Sequence, residues 1–207
     1  MIDWIELTED AWDSVKEAAR TTINKDGSGK EPSDEWKKKI LIAEHSPIRL
    51  FTVGWKWKDL KSWVSVHFVR HHEGINHFVS TQRTDRTGVN RDDLPQSSLV
   101  THQCNANAQA LINISRKRLC NQASKETREA WHELIDSVKK YEPILASVCV
   151  PECVYRGGCT ERFNPCGFWE KISADWTKEQ ISDVEERYRL YNEWLDSRRK
   201  DGDTNES

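Results

Sequence analysis

Between Leu50 and Arg70 the hydrophobic period changes from two to 3.6. Leu50, Thr52 and Gly54 alternate with Phe51, Val53 and Trp55, the pattern of a strand. From residue 60 the pattern shifts to Leu60, Trp63, Val64, His67 and Phe68, spaced i, i+3, i+4, i+7 and i+8, which is one face of a helix. That helix runs straight into Arg70-His71-His72. A chain that holds both periods in one short stretch belongs to the mixed α+β class.

The flanking segments fit the same class. Residues 8–22 read as a helix with Thr8 as N-cap and Trp12, Val15 and Ala19 as its apolar stripe. Residues 25–32 read as a flexible loop. Its Gly27-Ser28-Gly29-Lys30 lacks the preceding apolar strand and the full spacing of a phosphate loop. Ser33 caps a helix carrying Trp36, Ile40 and Ile42, which ends before Pro47. A short strand is expected at 76–83 and polar turns at 84–99. A long helical stretch is expected over 106–141, with a break at Asn121–Ser124. Its buried stripes are Ala108, Ile112, Ser115 and Leu119, then Thr127, Trp131, Leu134, Val138 and Tyr141, and Pro143 ends the run. Thr177 to Gln180 forms a capping-box pattern before a helix bearing Ile181, Val184, Tyr188, Tyr191 and Trp194. The tail from Arg198 reads as disordered.

Composition excludes some functions. The net charge of −3 over 207 residues argues against a sequence-indifferent nucleic-acid binder, though it leaves room for a local phosphate pocket. No run approaches the ~18 apolar residues of a membrane span. The N-terminus lacks the pattern of a secretory signal, so a cytoplasmic location is expected. Ten Trp supply aromatic burial that offsets a modest aliphatic content. Of six Cys, four lie at Cys149, Cys153, Cys159 and Cys166. A four-thiolate structural zinc, buried or free thiols, and a disulfide all remain open for them.

Three constellations could carry chemistry. Arg70-His71-His72 with Ser80-Thr81-Gln82-Arg83 either caps the dipole of the preceding helix or forms an anion pocket. Arg91 to Pro95 is, by itself, a loop with an arginine. On the third, at ~100° per residue, Asn107 and Arg118 share one helix face while Gln109 and Asn113 share nearly the opposite one. Such a helix is either exposed or wedged between two ligands or subunits.

Taken together and in order, these elements resemble the flavin-dependent thymidylate synthases. That family carries Arg-His-Arg, seven residues, then Ser, which here reads Arg70-His71-His72, Glu73 to Val79, Ser80. Its Arg-x-x-Leu-Pro element matches Arg91 to Pro95, and its Asn-Ala-Arg…Asn…Leu-Arg helix resembles Asn107-Ala108-Gln109, Asn113 and Arg118. The Ala-Ala-Arg-x-Ser element has a counterpart in Ala18-Ala19-Arg20-Thr21-Thr22. The resemblance runs from about residue 15 to about residue 160. His72 and Gln109 depart from the family's arginines, Pro47-Ile48-Arg49-Leu50 lacks its flavin-side His, and either Ser80 or Thr81 fills the signature Ser role.

The resemblance implies a small antiparallel sheet with mixed helices over 1–170, including the Cys-rich segment 149–166 at its end, followed by a C-terminal helix and tail over 171–207. It implies reductive methylation of dUMP at C5, with methylenetetrahydrofolate as carbon donor, NADPH as reductant and FAD as cofactor. A related enzyme modifying C5 of another pyrimidine nucleotide, and a non-enzymatic zinc-stabilised module, are the rival readings. By resemblance, Arg118 is catalytic, and His67, Ser80, Thr81, Arg83, Arg91 and Arg118 bind dUMP. Thr22, Arg70, His71, His72, Asn107, Gln109 and Asn113 match flavin positions. A homotetramer with sites between subunits is implied, with no membrane or nucleic-acid partner.

Overall fold

The computed structural model describes residues 1–27 and 30–200. Four strands form one antiparallel sheet: β1 (Ile2–Leu7), β2 (Thr52–Lys61), β3 (Ile75–Val79) and β4 (Leu99–Asn107). Their spatial order is β1-β2-β4-β3. β2 and β4 are therefore central, with Trp55 opposite Cys104 and Thr52 opposite Asn107. The strand read at 50–57 is β2, which starts later and runs further, because residues 46–50 form a 3-10 turn at Pro47.

Each central strand turns directly into a helix. β2 passes into α3 (Ser62–Val69) and β4 into α5 (Ala108–Arg118). The first join is the change of period seen in the sequence. The second departs from expectation: a strand over 99–107 lies between the turns read at 84–99 and the helix read from 106, which begins at Ala108. Val100, His102, Cys104 and Ala106 are all buried and alternate with outward residues. The polar types at two of those buried positions hide the period of two.

Helices α1 (Ala11–Thr21) and α2 (Asp34–Ile42) precede the sheet's centre. Thr8 does not cap α1. Its hydroxyl pairs with that of Thr52 at 2.6 Å, and Asp10 holds the N-cap with φ 49°. A four-residue turn, α4 (Thr84–Thr87), lies between β3 and β4. Beyond α5 come α6 (Lys125–Lys139), α7 (Pro143–Ser147), α8 (Glu152–Arg156), α9 (Phe168–Ile172), α10 (Lys178–Ser182) and α11 (Val184–Lys200). Pro143 opens α7 at its first position, where a proline costs no hydrogen bond. Tyr141 is exposed, unlike the rest of its stripe. The capping box at Thr177 and Gln180 forms as read, but the helix divides at Asp183, whose carboxylate accepts from the amides of Glu185 and Glu186. Most of the tail expected to be disordered, 201–207, lies outside the described residues.

The core sits between the sheet and α3, α5 and α6. Trp55, Trp57 and Trp131 are fully buried and meet edge to face or tilted, and Phe68 stacks on Trp57 at 4.7 Å. The Trp131 indole donates to Ser115 Oγ at 2.9 Å, whereas the indole N–H groups of Trp55 and Trp57 have no protein partner.

Candidate functional site

α3 ends in a cationic cluster. The last carbonyls of a helix lack partners within it. Arg118, from the end of α5, supplies one: its Nη2 donates to the His67 carbonyl at 2.8 Å. Its Nε donates to His71 Nε2, also at 2.8 Å. The guanidinium that caps the end of α3 is thus also held against the signature histidine. Burial and Arg118 push the His71 imidazole down to about 4. Burial, Arg118 and Arg70 lower His67 as well. Arg118 is itself lowered, by burial and then by Arg70. No carboxylate pairs with Arg70, His71 or Arg118 among the described residues. Half-buried positive charge without a counter-ion is a receptor for an anion.

Behind this cluster stands a row of buried polar groups that sequence reading did not join. His77 Nε2 lies 2.6 Å from the His71 carbonyl and must donate to it. Its Nδ1 is then an acceptor, so His102 Nε2 donates across 3.0 Å. His102 Nδ1 in turn accepts from Ser65 Oγ at 3.0 Å. The Cys104 thiol also reaches His77 Nδ1, at 3.3 Å. One set of neutral tautomers satisfies every ring nitrogen of both histidines. Burial, then His77, pushes His102 down to about 4, and burial pushes the Cys104 thiol up. The buried alternation of β4 was the available signal, with His102 and Cys104 at its centre.

The remaining expected site residues divide by partner. Asn107 caps α5 by accepting from the Ala110 amide at 2.9 Å, and its own amide donates to the Gly74 carbonyl. His67 lies 3.3 Å from Thr127 Oγ1 and edge-on to Trp63. Ser80 Oγ accepts from the Thr101 amide, and Thr81 Oγ1 from the Arg83 amide, so each hydroxyl keeps a hydrogen to donate. Arg83 is engaged by Asp85 at 2.8 and 3.0 Å. His72 and Arg91 are exposed, and the Arg91 side chain has no partner among the described residues. Gln109 and Asn113 lie elsewhere on α5, in a network with Glu44 and Arg116. Thr22 donates to the Ala19 carbonyl at the end of α1, where a cavity of about 670 Å³ is lined by Ala18, Thr21 and Leu50. One chain thus joins His67, Arg70, His71 and Arg118, and leaves Thr22, Gln109 and Asn113 on other surfaces.

The Cys residues regroup. Cys149 is buried beside Ser115, and burial holds its thiol up at about 12. Cys153, Cys159 and Cys166 instead line one cavity, together with Cys120. Among the described residues no helix is long and apolar enough to cross a membrane.

No family model matches the chain. A flavin-dependent thymidylate synthase of Clostridium tetani is 39% identical over 61 residues, which is 30% of this chain and 24% of that protein. The aligned stretch therefore spans about a quarter of that relative's length. The crystal structure of the flavin-dependent thymidylate synthase of Helicobacter pylori, complexed with FAD and dUMP, superposes with a TM-score of 0.57 at 14% identity, covering 72% of this chain and 98% of the other. The UMP/dUMP methylase PolB of Streptomyces cacaoi, bound with 5-Br dUMP, gives 0.55 at 13% identity, covering 70% and 93%. The mixed helices and small antiparallel sheet agree with the expected class. The chain has the fold of the flavin-dependent thymidylate synthases and shares a stretch of sequence with one of them.

Proposed function

We propose that the chain is a flavin-dependent enzyme that methylates dUMP at C5, with methylenetetrahydrofolate as carbon donor and NADPH as reductant. The observation that carries this reading is the pair of guanidiniums, Arg70 and Arg118, that meet no carboxylate among the described residues and stand with the neutral His71 at the meeting of two helix ends. Its donor set suits FAD and a nucleotide, since guanidinium and imidazole groups bind phosphate and pyrimidine carbonyl oxygens and no acidic side chain competes. The neighbours' FAD, dUMP and 5-Br dUMP support the same ligands here.

FAD, when bound, would supply the redox chemistry. The chain's own residues bind, orient and stabilise charge. Hydride addition at C6 of a pyrimidine drives negative charge onto the conjugated carbonyl. Arg118 is the residue to meet it, because its guanidinium is anchored by His67 and His71 and lacks a counter-ion. Arg70, His71 and His72, with Asn107, Gln109, Asn113 and Thr22, would hold the flavin. Ser80, Thr81, Arg83, Arg91 and His67 would hold dUMP. Gln109 and Asn113 stand apart from His71, which supports a site completed by a second subunit. The exposed Phe78 and Val79 on the edge strand β3, with the exposed Leu99 at the start of β4, support a homo-oligomer, for which we propose a tetramer.

The test is direct. Purified chain should bind FAD with a shift in the flavin spectrum, and should form thymidylate from dUMP in a single turnover with methylenetetrahydrofolate and NADPH. Failure to perturb the flavin spectrum would sink the reading. The likeness to PolB favours one second reading, in which the nucleotide is UMP. Parallel turnovers with dUMP and UMP decide between them.

A further inference from the structure

Residues 157–167 connect α8 to α9 without regular secondary structure, and not one of them is buried. Phe163 is 98% exposed. Both ends of the connection are well anchored. Arg187 donates to the carbonyls of Val154 and Tyr155 at 2.8 and 2.7 Å, closing the end of α8, and Phe168 is buried against Tyr191 and Trp194. Between those anchors the Gln122 side chain donates to the Asn164 carbonyl, a hydrogen bond from a part of the chain distant in sequence. A segment this long that buries no apolar side chain needs another source of order.

The thiols lie where such a source would act. Cys153 lies in α8 just ahead of this connection, Cys159 lies within it, and Cys166 stands next to its last residue. Together with Cys120, at the end of α5, they line one cavity of about 280 Å³. None of the four is in a disulfide. Gly157 and Gly167, at φ 68° and 71°, make the turns before Cys159 and after Cys166. Cys149 cannot join this set, since it is buried beside Ser115 on another face of α5.

We propose that Cys120, Cys153, Cys159 and Cys166 form a structural zinc site that staples the 157–167 connection to the end of α5. The chemistry is that of a tetrahedral four-thiolate centre, which needs no open coordination position. With Zn–S bonds of about 2.3 Å, the sulfurs would stand about 3.8 Å apart. No three of them lie within 4.8 Å of one another as the structure stands. Metal binding must therefore draw Cys159 and Cys166 inward on their unburied segment, which is the ordering step that the connection lacks. Cys120 precedes the other three by more than thirty residues, so the staple ties two parts of the chain that are distant in sequence.

The experiment uses the full chain, purified without chelator. Elemental analysis should give about one zinc per chain, the stoichiometry of a four-thiolate site. Cys149→Ala should retain the metal and Cys120→Ser should lose it. A second measurement on wild type does not depend on either variant folding. Cys166 is exposed, so as a free thiol it would alkylate at once. In the zinc form it should resist iodoacetamide until chelator is added, with Cys120, Cys153 and Cys159 released in the same step, as peptide mass spectrometry would read. Cobalt substitution should give the visible bands of a tetrahedral thiolate ion. A metal-free wild type, immediate alkylation of Cys166, a disulfide within the four, or metal lost on replacing Cys149 but kept without Cys120 would each overturn the assignment.

Discussion

Arg118 donates its Nε hydrogen to Nε2 of His71 at 2.8 Å, which fixes the imidazole as neutral with its proton on Nδ1. A protonated His71 would set two cations against each other, consistent with its fall to about 4. The pair keeps its single positive charge on the guanidinium, the group that cannot be neutralised.

Replacing Arg118 with Ala should therefore separate catalysis from cofactor binding. Loss of one donor to a developing oxyanion costs about 10²–10³ in rate. Thymidylate formation should fall by that factor while flavin content and NADPH oxidation persist. Lys should restore little, because an ammonium cannot bond the His67 carbonyl and His71 Nε2 in the same planar fork. Near-normal single-turnover rates in Arg118→Ala would remove the residue from the chemistry.

Stability should fall with acid before the carboxylates titrate. His102 and His71 bind their protons near 4 in the folded chain but near 6.5 when unfolded. Between those values the unfolded state holds more protons, so stability is full above about 6.5 and is lost as the pH drops toward 4. For the fully buried His102 alone the loss amounts to roughly 3 kcal/mol. Urea unfolding at pH 7.5, 6 and 5 reads it directly. An unchanged midpoint across that range would mean that the histidines are not buried as described.

Gly74 is bound to its neighbour in two ways. Its φ is 70°, and a Cβ there would stand 2.7 Å from Nδ2 of Asn107. Gly74→Ala should cost about 1–2 kcal/mol from the left-handed backbone alone, with a further loss from displacing the α5 cap. In an Asn107→Ala background the second part should vanish. Strict additivity in that double-mutant cycle would contradict the contact.

Ser115→Ala should orphan the Trp131 indole beside the unpartnered N–H groups of Trp55 and Trp57. A buried donor left without a partner costs about 1–3 kcal/mol. Thermal unfolding followed by near-ultraviolet circular dichroism reports both the loss and the aromatic cluster that suffers it. An unshifted midpoint would show that the hydroxyl does not serve this indole.

The legible part of the fold was the part with one period. Trp63 to Phe68 announced α3, although Leu60, read on the same face, lies in β2, and Ala108, Ile112, Ser115 and Leu119 announced α5; these faces are buried except for the half-buried Trp63 and His67. β4 was obscured because its buried positions hold His102 and Cys104, which score as polar or ambiguous outside a hydrogen-bonded row. β1 was missed because its register shifts between Ile2 and Trp4 and its burial does not alternate strictly. At the site, motif order singled out His71 and Arg118 but not their bond, which depends on two helix ends meeting. His77 and Ser65 carried no spacing signal, since their partners lie on other elements. The thiols were grouped by nearness in sequence, and space grouped them otherwise.

The order of the sheet also bears on how the chain acquires its structure. Ile5 pairs with Trp55, and Trp55 with Cys104, so three strands that share one sheet are about fifty residues apart along the chain. No tight hairpin joins any two of them. Closing such wide loops is the slow step in reaching a β-rich core. On a ribosome β2, with Trp55 and Trp57, emerges long before β4 exists to pair with it. Until residue 107 is made, its most apolar strand has one open edge and an uncovered face. Folding yield, more than the stability of the finished molecule, should be what heat and crowding erode first.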